Sequence, residues 1–438
     1  MWMLPILHRV SALAVHAFYR LTVTGERVPE EGPVLLVGNH PNSLFDPALV
    51  AVAARRPVRF LAKAPLFTDR AIGWMVRGAA AIPVYRPSDD PTLVGRNEDS
   101  FRAAYAELAA GAAVGIFPEG ISHSEPSLAP LKTGAARIAL GAAALRGAIF
   151  PIIPIGLVLR EKERFRSEAL VVVGAAVPWD DLLPATGAVE AAAVRELTAR
   201  IYSAMRRITL NFEKWEDAPL VEGAVAIYAA EFGGENDAAR RMSYVQEVAE
   251  TLARLRREGD REWEPLADEV YRHLERLEAF GLTPASVKAL PATSRAARWT
   301  VRQLAFFLVT GALAALGALI FYLPYRLLGF GVEKMEPTPD LRATYQTLGG
   351  ALFFLLWIAL LAGAGALLAG AWTGVALLLG LPLLGAITVL VRDRWRFARS
   401  DARRFLLLRT RAGLRRELAT RQQEIAHQLR TLREEIRA

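Results

Sequence analysis

Residues 34–47, VLLVGNHPNSLFDP, place a histidine and an aspartate just beyond a short apolar run. A neutral imidazole takes up a proton near pH 7, and a carboxylate against its second nitrogen would fix the tautomer. With six histidines in 438 residues, His40 and Asp46 are the pair around which such chemistry could be built. Both also have a structural use. Asp46 before Pro47 reads as a helix N-cap followed by proline at the first helical position, and His40 as a loop histidine bonded to backbone.

Three further segments carry candidate groups. RGAAAIPVYRP (residues 77–87) is a short β-type run ending in Tyr85-Arg86. IFPEGISHSEPSLAPLKTGAA (116–136) is an apolar run ending in Pro118-Glu119-Gly120, with Lys132 following. FPIIPIGLV (150–158) is an apolar run punctuated by Pro151, Pro154 and Gly156. Each follows or forms a strand, so their ends can gather at one edge of a sheet, where open α/β folds place ligands. Ser122-His123 beside Glu119 suggests a hydrolase triad, but the chain has no Gly-x-Ser-x-Gly elbow, and the first segment would go unexplained. His8, His16, His273 and His427 stand on helix-like segments without partners at metal spacing and read as surface or interfacial. With no His-Glu-x-x-His and no phosphate loop, neither a metal nor a nucleoside triphosphate is implied.

The positioning elements follow from pattern. Short β-type runs at 34–37, 58–61, 81–84, 113–117, 152–158 and 170–173 alternate with Ala-rich helical segments, which predicts a largely parallel or mixed sheet flanked by helices. Val194, Leu197, Ile201, Met205 and Ile208 step by three and four, so an amphipathic helix should close this domain. The expected organisation is an N-terminal interfacial membrane helix over 1–24, with Trp2, Phe18 and Tyr19 at headgroup level, and the α/β domain over 25–215. A helical region over 216–298 follows, with a break at Gly233-Gly234 and a helical pair carrying Leu252, Leu255, Leu274 and Leu277. A transmembrane region over 299–392 and a basic amphipathic helix over 393–438 complete it.

Composition narrows the partners. Hydrophobic residues make up 53%, which fills a core; the net charge of +8 suits an anionic partner, nucleic acid or the acidic face of a membrane. No cysteine is present, which removes disulfides and thiolate chemistry and fits a reducing compartment. Residues 304–323 carry no charge and match a hydrocarbon core of roughly 30 Å. Residues 348–391 are a second uncharged run, too long for one helix, whose Gly, Trp and Pro suggest two spans joined by a tight turn. The spans, and the lack of aromatic-basic interleaving, argue for membrane lipid and against nucleic acid. Basic residues flank both ends (Arg295, Arg298, Arg302; Arg392, Arg394, Arg396), so three full crossings would violate the positive-inside tendency. A re-entrant 348–391 would keep both flanks, and the catalytic domain, cytoplasmic. In the tail, Leu418, Ile425 and Leu432 recur every seven residues, as in a short coiled coil or a helix on anionic lipid; lipid is the reading preferred.

The four segments in this order resemble the PlsC-like glycerophospholipid acyltransferase superfamily, across roughly residues 25–215. The common first block is His-x4-Asp; here five residues separate His40 from Asp46. The form His-x-Asn-x-x-x-Asp-Pro, the run at 81–87 and NFEKWED at 211–217 look like the glycerol-3-phosphate and dihydroxyacetone-phosphate branch, which also carries spans after the catalytic domain. The resemblance implies a membrane-bound O-acyltransferase moving a fatty acyl group from acyl-CoA or acyl carrier protein, as co-substrate and without a further cofactor, to glycerol 3-phosphate. The alternatives are a 1-acylglycerol-3-phosphate acceptor, or a catalytically silent membrane scaffold of the same fold. His40 would be the base and Asp46 its orienter. Arg86 and Lys132 would hold the acceptor phosphate, with Lys63 a further candidate, since guanidinium grips phosphate bidentately. Glu119 would bond the acceptor hydroxyl or organise the Gly120 loop, whose N–H groups would steady the developing oxyanion. The fourth segment would shape the acyl path or simply be a buried strand.

Overall fold

The structure, a computed structural model, describes residues 3–70, 72–183, 189–233, 238–288, 293–335 and 339–437. Two units are each compact. One comprises Met1–Trp215, Met242–Glu250 and Thr338–Thr344; the other comprises Glu216–Arg241, Thr251–Pro337 and Tyr345–Ala438.

The first unit is an α/β domain. Its strands are β1 (Tyr19–Gly25), β2 (Val34–Gly38), β3 (Val58–Lys63), β4 (Ile82–Val84), β5 (Ala113–Ile116), β6 (Ile152–Leu159) and β7 (Ser167–Val173). Its helices are α1 (Met3–Phe18), α2 (Phe45–Ala54), α3 (Gly73–Gly78), α4 (Asn97–Ala109), α5 (Gly134–Arg146) and α6 (Ala191–Arg206). The sheet order is β1-β7-β6-β2-β5-β3-β4. Neighbours run parallel except β6 and β7, which are antiparallel. The middle strand β2, VLLVG, is buried at every position, as a strand covered on both faces must be. Its side chains alternate between two cores. Leu35 and Val37 pack with α4, α5 and α6, whereas Val34 and Leu36 pack with α1 and α2. Each such side chain contributes about 1.5–3 kcal/mol, so β2 is firmly seated and its C-terminal end is a fixed platform.

Six strands form where alternation predicts them; β1 was not foreseen. The N-terminal helix stops at Phe18, and Tyr19–Gly25 pairs with β7 in a seven-residue register. Phe18 and Tyr19 are 4% and 1% exposed in the domain core, not at headgroup level; Trp2 lies outside the described residues. The helical period of the first eighteen residues had masked the period-two alternation that follows. Val194, Leu197, Ile201 and Met205 are the buried face of α6, as expected, while Ile208 lies beyond the helix. The fourth segment is a buried central strand: an added Cβ at Gly156 would sit 2.0 Å from the Ile208 carbonyl oxygen.

The second unit is helical: α7 (Ala218–Phe232), most of α8 (Ala238–Glu258), α9 (Glu264–Ala279), α10 (Pro284–Lys288), α11 (Thr293–Lys334), α12 (Pro339–Ala369), α13 (Ala371–Thr410) and α14 (Ala412–Arg437). Gly233, at φ +89°, ends α7; Gly234 lies outside the described residues. The tail helix α14 needs neither a coiled-coil partner nor lipid for its apolar face. Leu418 packs with Leu277, Leu282, Val287 and Leu408, and Ile425 is fully buried. Arg276–Glu417 and Arg421–Glu269 ion pairs hold its flanks. Three helices, α11, α12 and α13, include stretches long and apolar enough to cross a membrane. They leave large apolar side chains such as Leu308, Leu368 and Trp372 on their outer faces, as a hydrocarbon environment requires; this is a membrane protein. The uncharged run 348–391 is two helices broken at Gly370 (φ +94°).

Candidate active site

The end of β2 delivers His40. Asn39 anchors it by a reciprocal pair with Leu157 of β6: its Nδ2 donates to the Leu157 oxygen (3.0 Å) and its Oδ1 accepts the Leu157 N–H (2.7 Å). The chain then turns tightly. Ser43 adopts φ +49°, a left-handed conformation that costs a non-glycine residue energy. The Phe45 and Asp46 N–H groups donate back to the Asn42 and Ser43 oxygens. This turn absorbs the extra residue between histidine and aspartate. Helix α2 begins at Phe45, so Asp46 sits inside the first turn and is not the N-cap.

The Asp46 carboxylate points at the histidine. His40 Nδ1 and Asp46 Oδ2 are 2.7 Å apart, and the same oxygen accepts the Asn42 N–H at 2.7 Å. Asp46 is fully buried, and burial pushes its pKa up against the opposing pull of His40. Behind it, the buried Asn42 donates to the Tyr19 hydroxyl (2.7 Å), which donates to the Lys162 oxygen (2.5 Å). Burial, and then the Asp46 charge, push the Tyr19 phenol up, so it stays a donor. Lys162 in turn reaches the Pro41 oxygen, 2.6 Å away. Phe117, just past β5, lies flat on the imidazole at 4.2 Å, with Phe60 parallel beyond it at 5.8 Å. Gly115 makes room for that stack: a Cβ there would strike the Phe60 ring.

Glu119 stands where three segments meet. Its Oε1 accepts the His40 N–H (2.9 Å); its Oε2 accepts the Ala129 N–H (2.9 Å) and meets His123 Nε2. It is 3% exposed, and both its oxygens have partners within the chain. The His123 ring is pushed up by its bond to Glu119, with burial opposing. Its backbone N–H donates to the His40 oxygen (3.1 Å).

The cations gather beside this loop. Gly120, at φ +75°, leaves no room for a Cβ, because Lys132 crosses its α-carbon. Arg86 Nη1 reaches the Gly120 oxygen at 3.3 Å, while Nε and Nη2 hold Asp89 at 2.8 and 2.7 Å. The arginine bond chiefly, with Lys63 and Lys132 adding, holds the Asp89 carboxyl below the usual range. Six of the seven expected residues (His40, Lys63, Arg86, Glu119, Gly120 and Lys132) thus lie at the C-terminal ends of β2, β3, β4 and β5 or in the loops that follow, and Asp46 lies in the first turn of α2. Tyr19, Asn42, Phe117 and His123 were not anticipated in these roles. A turn starting at Asn42 or Ser43 is what the five-residue spacing calls for, but the bond from Asn42 to Tyr19 carried no signal, since Tyr19 lies in a segment read as an interfacial helix. Among the described residues no cluster of three or more His, Asp or Glu could hold a metal ion.

His8 and His273 depart from a surface reading. The His8 Nδ1 is buried, and His273 is 3% exposed within the helical unit.

Residues 20–158 match the family described as Acyltransferase. Over 136 residues the chain is 33% identical to glycerol-3-phosphate O-acyltransferase 2 of Saccharomyces cerevisiae, covering 31% of this chain and 18% of the yeast protein. It is 27% identical over 131 residues to the chloroplast 1-acyl-sn-glycerol-3-phosphate acyltransferase of Arabidopsis thaliana, covering 30% of this chain and 35% of that protein. The matched stretch thus spans well under half the length of these relatives. The crystal structure of a 1-acyl-sn-glycerophosphate acyltransferase from Thermotoga maritima aligns at 18% identity and a TM-score of 0.34, over 47% of this chain and 78% of that one.

Proposed function

We propose, on the premise that residues 20–158 match the acyltransferase family, that the chain transfers a fatty acyl group from a thioester to the hydroxyl of glycerol 3-phosphate. The observation that carries this is the His40–Asp46 contact at 2.7 Å, at the end of a central strand and beside Arg86, Lys63 and Lys132. With the Nδ1 proton donated to Asp46, the proton of the acceptor hydroxyl goes to Nε2 as its oxygen attacks the thioester carbonyl. The C–S bond then breaks, and the leaving thiolate takes that proton back from the imidazolium. The acceptor oxygen is itself the nucleophile, so no serine or cysteine is needed. Asp46 keeps the tautomer and favours the transient imidazolium. The Arg86 fork with Lys132 and Lys63 takes the phosphate.

The yeast relative's name supports glycerol 3-phosphate as acceptor; the plant relative's name supports 1-acylglycerol 3-phosphate as the alternative. The donor is acyl-CoA or acyl carrier protein, and bilayer lipid is the surrounding partner. Arg394 donates to Gln303 at 2.7 Å and stacks on Phe306, which brings the basic stretches at the start of α11 and within α13 to one end of the helices. That contact supports a shared, cytoplasmic side for both flanks, with α12 and the start of α13 as a hairpin about Gly370.

Labelled acyl-CoA, offered to lipid-reconstituted protein with each acceptor, tests this. A lipid product from glycerol 3-phosphate, lost in a folded His40→Ala variant, supports it. No transfer from acyl-CoA or acyl carrier protein to any acceptor overturns it in favour of a silent scaffold.

A further inference from the structure

The fork of Arg86 that would grip a phosphate is already occupied. Nε and Nη2, the pair of donors that meets two oxygens in parallel, are spent on the two oxygens of Asp89 at 2.8 and 2.7 Å. Both side chains are about one-fifth exposed (22% and 20%), so the pair is open to exchange with solvent. Lys63 and Lys132 add their attraction, and Lys132 lies against Gly120, whose oxygen Arg86 also touches. The carboxylate is thus paired with Arg86 and feels the charges of Lys63 and Lys132. The neighbouring Asp90 does not share the position, because its Oδ1 accepts the Thr92 N–H and hydroxyl at 2.9 and 2.6 Å.

We propose that Asp89 is an internal anion of the acceptor site, which holds the Arg86 fork until the phosphate monoester displaces it and so sets the affinity for acceptor. The inference rests on the acceptor assignment above. Asp89 has two opposed effects on acceptor binding. It repels the incoming phosphate: removing one negative charge roughly 6 Å from a dianion, even at the screening of bulk water, is worth about tenfold in affinity. It also aims Arg86, but a partly exposed ion pair contributes at most about 1 kcal/mol, or roughly fivefold. Repulsion therefore outweighs aiming. The carboxylate stabilises the free site by separating three like charges, and acceptor binding becomes an exchange of one anion for another.

Calorimetric titration of the full-length protein in lipid nanodiscs, with inorganic phosphate and with glycerol 3-phosphate, tests this. The proteins are wild type, Asp89→Asn, Asp89→Ala and Arg86→Ala. Asp89→Asn keeps the shape and an acceptor oxygen for Arg86, so it isolates the charge. Asp89→Asn is expected to bind either ligand about tenfold more tightly at low salt and Asp89→Ala, which also loses the aiming, about twofold more tightly, with gains that shrink as ionic strength rises, whereas Arg86→Ala loses binding. Equal or weaker binding by the Asp89 variants, with Arg86→Ala still losing it, overturns the inference and makes Asp89 an aiming residue, while the acceptor assignment stands. Absence of any binding that depends on Arg86 removes the acceptor assignment and the inference together.

Discussion

His40, at the end of β2, and His273, in the middle of α9, are both set among packed neighbours beside a polar side chain. His40 has the Asp46 carboxylate at 2.7 Å and a side chain 21% exposed. His273 is 3% exposed and has Gln422, itself fully buried, whose Nε2 donates to Glu231 at 2.8 Å. Burial first, and then the charges of Arg421 and Arg276, press the His273 ring toward its neutral form. A base must stabilise the charge it acquires and must be reachable by the group that loses the proton. Asp46 supplies the first condition for His40, and among the described residues its Nε2 has no hydrogen-bond partner. Neither condition holds at His273, which is a packing residue joining α9 to α14.

The largest expected effect separates the two at once. His40→Ala should lower turnover by about 10²–10⁴-fold, the range that a positioned general base supplies, and should also lower thermal stability, because the buried Asp46 carboxylate loses its imidazole partner. His273→Ala should leave the turnover of folded protein within a few-fold. A comparable collapse of activity in both, at matched folding, would break the distinction.

Stability is read separately at the second site. His273→Ala removes a buried ring and leaves Gln422 facing a cavity, which should cost about 2–4 kcal/mol, read as a lower thermal midpoint of the helical unit. Protection of α9 and α14 in hydrogen exchange should fall, whereas β2 and β5 should stay protected. An unchanged midpoint would mean that the network around Gln422 does not hold α14.

Most of the first unit was legible because its central strands are continuous apolar runs bounded by glycine and proline, and because the groups at their ends are few and chemically distinctive. What failed to show was contact across long sequence separations. Tyr19 meets Asn42 only because β1 joins the sheet beside β7, and nothing in residues 1–24 announces that pairing. Glu119 reads as a ligand-binding carboxylate by type, yet its three partners lie at 40, 123 and 129. The heptad of α14 was read correctly as an apolar face; its partner, the surface of α9 and α10, is invisible to a pattern confined to one helix. His273 looked solvated for the same reason: helical spacing shows which residues share a face and not what covers it.

The smallest effect sharpens the comparison by sign. His123 is pushed up by Glu119, so the folded chain holds that proton more tightly than the unfolded one. Its stabilisation is complete below about pH 6.5, the ordinary histidine value, and is lost as pH rises through the elevated folded value. His273 is pushed down, so its neutral ring supports the fold above about pH 6.5, and that support is lost as pH falls below it. His123→Gln should therefore destabilise by about 1–3 kcal/mol near pH 6 and by progressively less toward alkaline pH, the loss of one charged hydrogen bond. His273→Gln should instead flatten the acid side of the wild-type stability curve. Chemical unfolding at a series of pH values reads both slopes. If the two variants altered the same side of the curve, Glu119 would not be the partner that charges His123. If only His123→Gln also raised KM for the acceptor, the Glu119 clamp would be shown to reach the Gly120 loop, while the helical histidine stayed silent in catalysis.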